Sequence, residues 1–285
     1  TSLPRERRSP ALPGGWPDGS RVAIMTTGSR LAYVQARLQA RHGRRPTDDR
    51  WRLLEATPDL AGYLQAARAT SLRPWVVHLP AESGTHQIER SLRRDWKIYV
   101  AEISRWLPAS WRPAAAWIDT LPELPFFLHL VRGEEVPRWM LEDPLLTEIA
   151  QADPEQRREA LGQTRLSRIA APLLEGAPPV AAWLDGWQQE WPAKRTADIT
   201  ALERLRRIFR THISTILEEP LEHPPGPALR RQINERFNMT FRRESGRIAA
   251  VFAHFGLMAL DLERLRGGLV LRALFPDPAE RPQWA

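Results

Sequence analysis

Between Leu31 and Trp75 the chain spells out three short amphipathic segments separated by hard stops, and this spacing constrains the fold more than any other feature. The first runs from Leu31 to about Arg41, with Leu31, Val34 and Leu38 on one stripe and Tyr33, Ala36, Arg37 and Ala40 beside it. Gly43 then stands where a left-handed residue would close the helix. The second segment follows Thr47-Asp48-Asp49, whose oxygens and negative charge suit the free amides and positive dipole end of a helix; it carries Trp51, Leu53 and Leu54. The third is expected to start at Thr57-Pro58-Asp59, with Thr57 as the cap and Pro58 in the first helical position, where its missing N–H costs nothing. Leu60, Tyr63, Leu64 and Ala67 then fall at i, i+3, i+4 and i+7, the pattern of a one-sided helix.

The same period governs the chain beyond Trp75. Ile88, Leu92, Trp96, Tyr99, Ile103 and Leu107 mark one buried face of a long helix, with Arg90, Arg93, Arg94 and Lys97 mostly off that face. A second long segment, Ala114 to Gly133, should return antiparallel to it and be kinked or divided at Pro122 and Pro125. Asp153-Pro154-Glu155 repeats the capping chemistry of Thr57-Pro58-Asp59, and Trp183, Trp187 and Trp191 form an aromatic stripe. Asp198 to Leu217 reads as another long helix, with Ile199, Leu202, Leu205, Phe209, Ile213 and Ile216 on one face. The order of cap, short helix, loop and long helices thus occurs twice, as a diverged duplication would leave it. His223-Pro224-Pro225-Gly226-Pro227 is a stiff linker, after which Leu229, Ile233, Phe237 and Phe241 share a face. The closing helix spans about Ile248 to Leu274, and its apolar run Ile248 to Leu262, interrupted only by His254 and Asp261, reads as a buried core helix.

These segments divide the chain into a flexible basic arm (1–28), a first helical lobe (29–140), a second (141–222) and C-terminal helices that complete the fold (223–285). The expected class is all-α, a multi-lobed protein of long antiparallel helices with short helices between them. Within the arm, Arg21 to Met25 has two readings, a short strand or an upstream extension that ends at a start residue, Met25.

Tyr33-Val34-Gln35-Ala36-Arg37, Leu53-Leu54-Glu55-Ala56, Asp59-Leu60-Ala61-Gly62-Tyr63-Leu64 and Ala69-Thr70 together resemble the opening of the AC39-like family, the C/d-type rotor-linking subunits of V-type ATPases. Ala259-Leu260-Asp261-Leu262-Glu263-Arg264-Leu265-Arg266 resembles that family's closing helix, and Asp119 with Leu128 to Gly133 matches the exit of its middle helix pair loosely. The asparagine that usually accompanies the acidic residue there is absent, the chain is shorter than usual, and it holds more prolines and tryptophans. The resemblance implies a pseudo-threefold funnel of helical lobes that links the central stalk of a rotary ATPase to its membrane ring during ion transport. It also implies a non-catalytic part with protein subunits as partners, on the cytoplasmic face of a membrane. A soluble adaptor with the same frame and no ATPase is the alternative.

The residues themselves exclude several chemistries. With no cysteine there is no disulfide, thiolate metal site or cysteine nucleophile. No apolar run approaches the roughly 20 residues that span a bilayer, which leaves peripheral association as the mode open to it. His42, His78, His86, His129, His212, His223 and His254 are scattered, without the paired spacing of a zinc protease, and no Gly-rich loop ends in Lys-Ser or Lys-Thr. Accordingly no catalytic, cofactor-binding or metal-ligating residue is assigned. His254 is expected in the core, bonded to a carbonyl; Asp261 and Glu263 are expected to pair with Arg264, Arg266 or Arg247. The formal charge of +7 comes from arginine, since lysine occurs only at Lys97 and Lys194, and it favours an acidic partner surface or anionic headgroups. Arg230, Arg231, Arg236, Arg242, Arg243 and Arg247 form the densest cluster, and with Phe237 and Phe241 between them they could track phosphates and stack bases. Those phenylalanines, however, have the spacing of an inward face.

Overall fold

A helix that is apolar on all sides has to lie among other helices, and Ile248 to Leu262 does: every residue in that run is buried. The computed structural model describes residues 27–144, 146–150, 153–164, 167–193, 198–217 and 226–280. The expected strand at Arg21 to Met25, the arm before it and the linker from His223 to Pro225 lie outside the described residues. The fold is all-α, with no strand among the described residues.

In chain order the helices are α1 (Thr27–His42), α2 (Asp48–Glu55), α3 (Leu60–Arg68), α4 (Arg73–Val76), α5 (Thr85–Trp106), α6 (Arg112–Trp117), α7 (Leu124–Val131) and α8 (Arg138–Leu141). They continue with α9 (Thr147–Ala150), α10 (Pro154–Gln163), α11 (Ser167–Leu174), α12 (Pro179–Gln189), α13 (Ile199–Leu217), α14 (Pro227–Arg243) and α15 (Ile248–Leu274). The packing centre is α15, which touches α1, α3, α5, α13 and α14. One connected apolar core runs from Val34 to Leu269 and crosses the lobe boundaries expected after residues 140 and 222. α15 lies among these helices.

Local chemistry explains most boundaries. Thr47 caps α2 by accepting from the Arg50 amide, and Asp153 caps α10 by accepting from the Glu155 and Gln156 amides. The α3 cap differs from expectation. Asp59, not Thr57, accepts from the Gly62 amide, because Thr57 turns back to donate to the Leu53 carbonyl and Pro58 falls outside the helix. Gly43 does not take the left-handed conformation; among the described residues the glycines that do are Gly133, Gly176 and Gly246. The prolines divide the segment after Ala114 as expected, into α6, a 3-10 turn over Ile118–Glu123 and α7.

Aromatic residues lock the helices together. Trp187 stands with its ring centroid 5.0 Å from Phe252, 5.3 Å from Phe209 and 5.1 Å from Trp191, which ties α12 to α13 and α15. Three glycines admit close approach by a ring. A Cβ at Gly186 would lie 2.3 Å from Trp117, at Gly256 2.4 Å from Phe237, and at Gly268 2.3 Å from Tyr63. One charge departs from the expected outward face of α5: Arg93 is buried, pairs with Asp143 and stacks on Phe126.

Candidate functional site

The arginine-rich stretch sits on α14, and its apolar residues decide which way the arginines point. Ile233, Phe237 and Phe241 recur every four residues and are buried, with Phe237 5.1 Å from Phe209 of α13 and pressed onto Gly256 of α15. Neither phenylalanine is accessible as a base-stacking platform. Pinning that face to the core places Arg236, Thr240 and Arg243 on one flank of α14, about 60–120° round from it, with Met239 beyond them.

There they meet the outer side of α13. Leu202, Leu205, Phe209 and Ile213 are buried, as is Ile208 beside them, and Arg204 and Arg207 stand at the seam between the two helices. The result is an open groove of about 720 Å³. Arg204 and Arg207 stand on one wall and Arg236, Arg242 and Arg243 on the other, with Ala201, Ile208 and Met239 as the apolar lining. Met239 is 62% exposed and supplies the accessible apolar surface of the groove.

The charges in this groove are unequal. Glu244, nearly buried at one end, lies 3.6 Å from Arg204 and 3.5 Å from Arg247. Burial pushes the nearby Asp198 carboxyl up from its ordinary value, with Arg247 pulling it down and Glu244 reinforcing the rise. Glu203, one position from Arg204, is turned to Gln188 and Arg206. Arg207, Arg236, Arg242 and Arg243 have no carboxylate partner among the described residues. Five arginines against one glutamate therefore give the groove a positive field.

The other polar residues singled out from the sequence serve packing. Asp261 does not pair along its own helix. Arg45, just past α1, grips it with Nε 2.7 Å from one carboxylate oxygen and Nη2 2.9 Å from the other. The same Nη2 donates to Asn234 Oδ1 of α14 at 3.0 Å. Burial raises the Asp261 carboxyl from its ordinary value, and the Arg45 guanidinium pulls against that. Glu263 faces His212 at 3.0 Å, Arg264 reaches Glu55 at 2.6 Å, and Arg266 reaches Glu89 at 2.5 Å. The expected short-range pairs are replaced by bonds between helices because the residues on a core helix face its neighbours. His254 is in the core, as expected, but its Nε2 meets the Tyr99 hydroxyl at 2.6 Å in place of a carbonyl. Burial, reinforced by Arg45, His42 and Arg41, holds His254 down at about 3, so the ring is neutral near pH 7.

Among the described residues the remaining histidines form no shared site, although His42 lies near His254 across Phe241. His42 lies against Phe241, His86 stacks on Trp139, His129 bonds the Glu135 carbonyl, and His223 lies outside the described residues. Among the described residues no group of three or more histidine, aspartate and glutamate side chains is placed to hold a metal ion. No helix of the described residues is long and apolar enough to cross a membrane.

From sequence alone the α14 arginines were visible, but Arg204 and Arg207 were not. They are the outward residues of a helix noticed for its inward face, and only the packing of α13 on α14 brings them to the cluster. Arg45 and Asn234 carried no sequence signal, since their partner lies on α15. Comparisons with protein-family models, with curated proteins and with solved structures give no match.

Proposed function

We propose that this protein is a non-catalytic helical docking part, a stiff body that holds a partner protein at the α13–α14 groove. The observation that carries this reading is the groove's set of exposed arginines without carboxylate partners, set around an exposed methionine. Buried ionisable groups support it from the other side: His254 is neutral and bonded, and Asp261 is held in the fork of Arg45, so both are committed to packing. Stiffness follows from a single close-packed core with an enclosed helix, because tightly packed interiors yield little under load.

Linking a rotor ring to a central stalk on the cytoplasmic face of a membrane is the narrower form of this role. Its support is the order of motifs from Tyr33 to Thr70 and from Ala259 to Arg266. The test is a photo-reactive amino acid at position 239 in living cells, with position 274, equally exposed at the far end of α15, as control. A discrete protein adduct at 239 and not at 274 is the expected result, and rotary-ATPase subunits among the adducts would single out the narrower role. Adducts to RNA or DNA alone, or none at either position, would overturn the docking role.

A further inference from the structure

The occupant of the groove can be narrowed from its walls and lining. We infer that the α13–α14 groove receives an acidic amphipathic helix of a partner protein, an identification that rests on the docking role proposed above.

Positive charge without a carboxylate partner among the described residues lies on both walls, Arg207 from α13 and Arg236 and Arg243 from α14, while Arg204 is met by Glu244, so the occupant carries carboxylates on both flanks. The lining between the walls is apolar, the exposed Met239 with the buried Ile208 and Ala201 beside it. A purely anionic chain would leave that lining wet, whereas a helix with an apolar stripe between two acidic flanks covers it. Methionine suits the position, being flexible and polarisable enough to fit different apolar side chains. The length also agrees. Arg236 to Arg243 spans seven residue steps, about 10 Å at the helical rise, so two turns of an occupant lie alongside the groove.

Nucleic acid fits less well. No aromatic residue lines the groove, and Phe237 and Phe241, which could have stacked bases, are buried beneath it. Lipid headgroups would need charge spread over a flat face, while these arginines are divided between the two helices that line a groove.

The experiment uses the whole chain and four labelled probes, read by fluorescence anisotropy or co-sedimentation. They are a helical peptide of about 14 residues, some four turns, with a leucine stripe between glutamates; a scrambled peptide of the same composition; a single-stranded RNA of about 12 nucleotides; and phosphatidylglycerol vesicles. The expected result is saturable binding of the amphipathic peptide, with the scrambled peptide weaker by about tenfold or more. Arg207→Glu with Arg236→Glu should abolish binding, because reversing both walls replaces attraction by repulsion. Met239→Gln should weaken it by about threefold to tenfold, because an exposed apolar contact is lost. Unchanged thermal melting of these variants shows that they act on the groove, since none of the three residues has an ion-pair or packing role in the core. RNA, vesicles or the scrambled peptide binding as tightly as the amphipathic peptide, with Met239→Gln silent, would overturn the helical occupant and leave the groove a general anion site. Failure of every probe to bind the unaltered protein would overturn the helical occupant, whereas the docking role falls only if position 239 also gives no discrete protein adduct.

Discussion

His254 shows how one residue's surroundings set a property of the whole fold. It is enclosed by Tyr99 of α5, Phe241 of α14 and the cationic end of α1, where Arg41 and His42 lie with Arg45 just past it. In the fold it titrates at about 3, whereas in an unfolded chain a histidine titrates near 6.5. Between those values the unfolded chain binds a proton that the folded chain refuses. Stability therefore falls as pH drops below about 6.5, by up to about 1.4 kcal/mol per pH unit from this residue, and the contribution levels off near its folded value. Above that window His254 adds no pH dependence. His42 is lowered in the same direction, chiefly by burial and then by Arg45 and Arg242, so it adds to the slope. His254→Gln keeps a hydrogen-bonding partner for Tyr99 and removes the titration. Urea unfolding between pH 5 and 6.5, above the range of ordinary carboxylates, should show a shallower pH slope in the variant even if its absolute stability is lower. Equal slopes would mean that the proton is taken up elsewhere.

At the scale of the element, α15 holds two glycines whose replacement by alanine should act in opposite directions. Gly256 lies against the ring of Phe237, where an added Cβ would come within 2.4 Å, so α14 would have to move off the core. Gly256→Ala should cost about 1–3 kcal/mol, outweighing the gain of about 1 kcal/mol from helix propensity. Gly267 is exposed with nothing near its missing Cβ, so Gly267→Ala should stabilise by up to about 1 kcal/mol. Guanidinium unfolding of the two variants checks the signs, and destabilisation by both would show that α15 needs flexibility at Gly267. The boundaries of α15 were readable because its apolar run is long and continuous, and those of α5 because Ile88, Leu92, Trp96 and Ile103 keep one period. The faces of α13 and α14 were legible for the same reason, except that Ile199 and Ile216, expected on the inward face of α13, are exposed near its ends. What periodicity could not give was which helices meet. Arg93 has the sequence of a surface residue, and only Asp143, fifty positions away in the chain, makes its burial affordable. The α3 cap was misplaced by two residues because Thr57 and Asp59 both have capping oxygens, and a hydrogen bond to the Leu53 carbonyl decided between them. The groove was half legible for a related reason: charge density marks α14, but a cleft needs a second wall that local sequence does not announce.

At the scale of the molecule the question is whether the chain behaves as several lobes or as one cooperative unit. Lobes at 29–140, 141–222 and 223–285 with separate cores would unfold in steps, each with its own midpoint. The core instead joins α1, α5 and α13 through α15, the last helix in the chain, so no earlier segment completes its packing without it. Phe252 is the residue to probe, because it meets Trp111, Trp187 and Phe255 and so touches what would be the first, second and third lobes. Phe252→Ala should cost about 3–5 kcal/mol, the range for truncating a fully buried phenylalanine. The loss should appear equally in far-UV circular dichroism, which reports all helices, and in tryptophan fluorescence, whose reporters run from Trp51 to Trp191. Coincident midpoints in the unaltered protein, shifted together in the variant, are the outcome for a single unit. Separate transitions, with only the later one moved by Phe252→Ala, would mean that the connected core is mechanically divisible and that the stiffness on which a docking role depends belongs to the lobes alone.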